Sequence, residues 1–217
     1  NILRDLGNLQ EAEFSYRKEI ETNPDYAEAH NNLGITLNEL GKIKEAEISY
    51  RKAIKIKPDY AVAHSNLGNT LRDLGNLQDA ELSTRKAIEI KPDYAQAHSN
   101  LGNILSDLGN LKEAFDSYLK SIEINPTLPN IYCSITRCLK DSDPSQLNQA
   151  KLKKILNILL EKNNVSHIEL MRVFEFVYSN KIIKNLEKFN SDFSKIELLV
   201  KNKVIINAFK KIIFCDL

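Results

Sequence analysis

Tryptophan is absent from this chain, and glycine (7), proline (6) and cysteine (3) are scarce. So few breakers in 217 residues exclude a turn-rich β fold and favour long helices. The cysteines, Cys133, Cys138 and Cys215, form an odd and scattered set. They exclude a disulfide framework and suit a reducing, cytoplasmic setting. Cys133 and Cys138 stand five apart, without CxxC spacing, and read as inert thiols. No apolar run is long enough to span a membrane, and no charged-then-apolar signal segment opens the chain. The start at Asn1 and the stop after an apolar run at Leu217 lead us to expect a piece of a longer protein. There is no phosphate loop, dinucleotide fingerprint, nucleophile elbow or HExxH zinc motif. No catalytic residue and no cofactor are therefore expected.

What the chain has is an internal repeat. Asn-Leu-Gly recurs at Asn32, Asn66 and Asn100, Arg-Lys-Ala-Ile at Arg51 and Arg85, and proline at Pro24, Pro58, Pro92 and Pro126, always at a step of 34 residues. Within one period, Ala29, Leu33, Thr36, Leu37 and Leu40 fall at helical spacing on one stripe. Gly41 ends that helix. Ile43, Ala46, Tyr50, Ala53 and Ile54 form a facing stripe on a second helix, and Pro58 stops it. Asp25 with Glu28, and Asp93 with Gln96, fit capping boxes for the helices that follow. Gly34 sits inside a helix, where glycine costs about 1 kcal/mol against alanine. A close crossing opposite Ala46 is the expected compensation.

A period of this length built from two helices resembles the tetratricopeptide repeat (TPR) family. Numbered from Ala27, Ala61 and Ala95, three full repeats (27–60, 61–94, 95–128) carry the family's Leu-Gly pair, its small twentieth residue (Ala46, Ala80, Ala114) and its closing proline. The aromatic twenty-fourth position holds Tyr50 and Tyr118, with Thr84 departing. The bulky fourth position departs throughout, as His30, His64 and His98. A truncated repeat, expected to begin inside its first helix, covers 1–26. The resemblance implies an all-α fold, a right-handed superhelix (TPR solenoid) of antiparallel hairpins over residues 1–128, with first helices lining a concave groove. It implies a scaffold that holds a protein partner or an extended peptide. It also leaves open the substrate-recruiting arm of a larger glycosyltransferase or methyltransferase.

The second, fifth, sixth, ninth and twelfth positions of each first helix share the face opposite the buried stripe. They include Asn31, Asn32 and Asn38, then Ser65, Asn66, Asn69 and Arg72, then Ser99, Asn100, Asn103 and Ser106. Each asparagine carries a donor and an acceptor in one plane. A row of them can grip a peptide by its backbone. Asn32, Asn66 and Asn100 resemble the asparagine ladder of O-GlcNAc transferase TPR arms, which implies peptide binding by this set of residues. The carboxylate clamp of chaperone-binding TPR proteins needs several cations, and Arg72 is the lone one here. His30, His64 and His98 lie on different hairpins, on the order of 10 Å apart, whereas metal–nitrogen bonds are about 2 Å. They read as packing residues, and no metal site is expected. Glu13 with Arg17, Glu47 with Arg51, and Glu81 with Arg85 are pairs four apart that support an exposed helix by about 0.3 kcal/mol each. That outer face reads as solvated.

Residues 129–217 are expected to hold a worn first helix with Ile131, Ile135, Cys138 and Leu139 inward, then a helical extension. Asp143 and Pro144 open a helix to 162 with Leu152, Ile155, Leu156 and Leu159 inward. Ser166 and Glu169 cap another over 167–180, with His167 at its start, and two more fit near 182–189 and 192–213, the last with a break near Asn202. Residues 1–128 carry 15 Lys and Arg against 20 Asp and Glu, whereas 129–217 carry 15 against 9. The basic residues are scattered rather than clustered on one face, which disfavours nucleic acid.

Overall fold

Each hairpin is closed by a glycine in a conformation that other residues avoid. Gly41, Gly75 and Gly109 have φ of 75°, 81° and 79°, the left-handed region where a side chain is strained. Gly41 N donates to the Asn38 carbonyl and Lys42 N to the Leu37 carbonyl, the paired bonds of a Schellman motif. Gly75 with Asn76, and Gly109 with Asn110, repeat the arrangement.

A computed structural model describes residues 2–162, 166, 168–170 and 172–178. The expected helices near 182–189 and 192–213, the break near Asn202, His167 and Cys215 lie outside the described residues. The helices are α1 (Ile2–Thr22), α2 (Ala27–Glu39), α3 (Ile43–Ile56), α4 (Ala61–Asp73), α5 (Leu77–Ile90), α6 (Ala95–Asp107), α7 (Leu111–Ile124), α8 (Ile131–Asp141) and α9 (Gln149–Glu161). A further helix, α10, covers 172–178. No strand occurs among the described residues, and the fold is the all-α TPR solenoid of successive packed helix pairs.

Two compact units emerge. The first comprises Asn1–Asn110 with Lys120–Leu128, the second Leu111–Leu119 with Pro129–Leu217. In the first, Leu33, Leu37, Ala46, Tyr50, Leu67, Leu71, Ala80 and Ile104 form one core cluster, with Tyr16, Ile20, Ile54 and Leu108 packed on it. These residues come from both stripes of the hairpins, as the periodicity predicts. Each fully buried leucine contributes roughly 1.5–3 kcal/mol.

Four expectations need correction. The truncated repeat does not show the end of a first helix followed by a second, because α1 runs from Ile2 to Thr22 as a single helix. The capping boxes are not made. Tyr26 and Tyr94 occupy the N-caps of α2 and α6 without a side-chain bond, which puts Asp25 and Asp93 one position too early. Gly34 does allow a close crossing, but against Tyr50 rather than Ala46. A Cβ there would lie 2.6–2.8 Å from the Tyr50 ring. The helix expected from 144 begins instead as a 3-10 turn, Pro144–Gln146, capped by Asp143 on Ser145 N. The chain then restarts at α9, with Asn148 capping Lys151 N.

In the second unit, Ile131, Ile135, Cys138 and Leu139 of α8 and Leu152, Ile155, Leu156 and Leu159 of α9 are buried, as expected. The span expected as one helix from 167 to 180 has a 3-10 turn at Ile168–Leu170 ahead of α10. Phe174 and Tyr178 are core residues whose rings pack 4.9 Å apart, and the Tyr178 hydroxyl donates to Asn157 Oδ1 at 2.9 Å.

Candidate peptide-binding groove

The loop before each first helix is held by a histidine. His30, His64 and His98 each place Nε2 2.9 Å from the carbonyl oxygen of Pro24, Pro58 and Pro92. A carbonyl only accepts, so the proton sits on Nε2. The imidazole thus packs in the family's bulky slot and also closes the proline turn. The sequence signal was present in the fixed spacing of six residues, proline to histidine, in three repeats. Among the described residues, no group of three metal-binding side chains comes together.

With the entry to each first helix set this way, α2, α4 and α6 present their amides to one another. Asn66 Nδ2 donates to Asn31 Oδ1 at 3.1 Å, and Asn31 Nδ2 to Asn32 Oδ1 at 3.3 Å. One repeat on, Asn100 Nδ2 donates to Ser65 Oγ at 3.1 Å, and Gln96 Nε2 donates to Asn100 Oδ1 at 2.9 Å. The candidate residues therefore divide into two sets. Asn31, Ser65, Ser99 and Asn100 are buried. Of these, Asn31, Ser65 and Asn100 make the hydrogen bonds of the seam between neighbouring first helices. Asn32, Asn66, Asn69, Asn103 and Arg72 are partly exposed.

The chain Asn66–Asn31–Asn32 has a consequence for binding. Asn31 uses both ends of its amide. Asn66 donates through Nδ2 and Asn32 accepts through Oδ1, so the row ends in the Asn66 Oδ1 acceptor on one side and the Asn32 Nδ2 donor on the other. Reversing all three amides would leave the same pair with the ends exchanged.

The charged residues at the groove are already paired. Arg72 Nε bonds Asp107 Oδ2. Glu28 takes the Lys57 ammonium at 3.1 Å, and that contact holds its carboxyl below the usual range. Asn38, expected on the open face, turns into the seam. Its Nδ2 donates to Thr70 Oγ1 at 2.8 Å and its buried Oδ1 has no partner. Ser106 Oγ, at the same repeat position, is likewise buried and unpaired. Each such atom costs about 1–3 kcal/mol.

Family models agree with the internal repeat. A tetratricopeptide-repeat model matches residues 27–60 and 95–128, a TPR-repeat model matches 1–41 and 68–109, and a third tetratricopeptide-repeat model matches 49–81. No curated protein matches the chain in sequence. Among solved structures, MamA is similar at 23% identity over 83% of this chain and 94% of that one, with a TM-score of 0.59. PilF of Pseudomonas aeruginosa is similar at 17% identity over 90% and 91%, with a TM-score of 0.64. YrrB, described as a TPR protein with an unusual peptide-binding site, is similar at 20% identity over 90% and 97%, with a TM-score of 0.62. With the 34-residue step, the glycine-closed hairpins and these matches together, the chain belongs to the tetratricopeptide-repeat proteins.

Proposed function

We propose that the protein is a protein-interaction scaffold and that the face formed by α2, α4 and α6 holds an extended segment of a partner by its backbone. The observation that carries this reading is the amide row of Asn32, Asn66, Asn69 and Asn103, partly exposed on three successive first helices. An extended peptide offers alternating N–H and C=O groups. The donor and acceptor left at the ends of the Asn66–Asn31–Asn32 chain match that alternation. The bonds of Asn31 hold Asn32 and Asn66 in place, so little of their side-chain entropy is lost on binding. Such a face reads side chains weakly, and several unrelated segments can share it. Arg72, engaged by Asp107, fits this better than a carboxylate clamp. That the similar YrrB is described with a peptide-binding site is consistent with the reading. A cytoplasmic setting, suggested by the odd and scattered set of three cysteines, belongs to it as well.

A peptide-array screen tests it. Wild type should bind a broad set of extended, uncharged peptides. An Asn32→Ala/Asn69→Ala/Asn103→Ala variant, which keeps the Asn66–Asn31 and Asn100–Ser65 bonds between first helices, should lose most of them. Equal binding by both proteins would remove the assignment.

A further inference from the structure

The second helices carry a pattern of their own on the opposite side of the hairpins. Phe14, Ile48 and Leu82 are 70%, 68% and 71% exposed, an unusual state for large apolar side chains. They stand 34 residues apart, at one repeat position, on α1, α3 and α5. Three residues before each is an exposed acid: Glu11, Glu45 and Asp79. Four residues after each is an exposed lysine: Lys18, Lys52 and Lys86. Positions i, i+3 and i+7 share one helix face, with the charged rows about 4–6 Å to either side of the apolar row. Arg17 binds Glu45 at 2.9 Å and Lys42 binds Glu13 at 2.8 Å, tying α1 to the start of α3. In the next repeat the apolar position is taken by Asp116, which pairs with Lys151 at 2.6 Å. The stripe is thus confined to three helices.

The order acid, apolar, basic is complementary to itself after half a turn. With a two-fold axis lying between the two faces and running along the apolar row, the apolar row of one copy meets the apolar row of another. Phe14, Ile48 and Leu82 then each face their own counterpart in the second copy, and each acidic row faces a basic row. That is the requirement of an isologous dimer. The acidic row would repel an anionic membrane or a nucleic acid, and it would be left unmatched by an acidic partner helix. The rows spread over about 10 Å of each helix, and α1 and α3 come within ion-pair reach of each other. We propose that this outer face of α1, α3 and α5 is the contact through which two copies of the chain associate, leaving the groove of first helices outside the contact.

Sedimentation velocity on the full chain at roughly 100 µM, a concentration suited to an interface of micromolar Kd, tests it. Wild type should sediment as a dimer. Ile48→Asp, and independently Leu82→Asp, should sediment as monomers with melting curves close to wild type, because neither side chain belongs to the core. Lys18→Glu/Lys52→Glu/Lys86→Glu should be monomeric, and so should Glu11→Lys/Glu45→Lys/Asp79→Lys. An equal mixture of the two triple variants should recover the dimer, since each then meets opposite charge on both flanks. A monomeric wild type, a dimer indifferent to both aspartate variants, or a mixture that stays monomeric would each overturn the proposal.

Discussion

Asn66 reaches back 35 residues to donate its Nδ2 to Asn31 Oδ1 at 3.1 Å, joining two successive first helices through their side chains. Asn31 is 2% exposed, so the bond lies where water competes poorly and a lone partner would be costly. Asn31→Ala and Asn66→Ala should each lower stability by about 1 kcal/mol. The double variant should lose less than the two together, with a coupling of roughly 0.5–1 kcal/mol. A double-mutant cycle by urea unfolding measures it, and strict additivity would mean that the amides act independently.

Gly34 and Gly68 should resist alanine, although alanine is the better helix former by about 1 kcal/mol. A Cβ on Gly34 meets the buried Tyr50 ring at 2.6 Å. On Gly68 it would run into Thr84 Oγ1 and come within 3.0 Å of the Ala80 carbonyl. Overpacking of this kind costs about 1–3 kcal/mol. Gly34→Ala should therefore lower the melting temperature, and adding Tyr50→Leu should recover part of the loss. A stabilised Gly34→Ala protein would contradict the packing described.

Alkaline pH should unfold the protein in part through its tyrosines. Burial pushes the Tyr50 phenol well above its ordinary value of 10.0, against a smaller opposing pull from the Asn38 hydrogen bond. Burial also raises Tyr94. A raised folded value means that Tyr50 contributes fully below pH ~10 and that its contribution falls as pH rises further, where the unfolded chain ionises first. Tyr50→Phe should flatten the loss of stability above pH ~10 without abolishing it, because Tyr94 persists. Denaturant titrations at a series of pH values check this, and parallel slopes would refute it.

The hairpins were legible from sequence because local chemistry determines them. Gly41 must take a positive φ, Pro58 cannot continue a helix, and Leu33 with Leu37 recurs at helical spacing. The outer pair Glu47 and Arg51 was legible for the same reason, and it forms at 2.8 Å. What lay beyond one helix was harder to read. A helical wheel puts Asn31 and Asn32 on one open face, yet the offset between α2 and α4 buries the first and leaves the second partly exposed. Likewise Tyr50, sixteen residues from Gly34, fills the space that a small-residue argument gave to Ala46. The exposed row of Phe14, Ile48 and Leu82 was hidden because the neighbouring ion pairs already explained a solvated face.

Binding in the groove is expected to run through a peptide's backbone rather than its side chains. The most direct measurement is calorimetric titration of the best array peptide beside the same peptide with alternate backbone nitrogens methylated. Methylation removes donors while keeping every side chain. At least a tenfold loss of affinity, about 1.4 kcal/mol, is expected, together with loss of the shifts at the Asn32 and Asn66 side-chain amides in nitrogen-15 spectra. Equal affinity of the two peptides, with those amides unmoved, would contradict it.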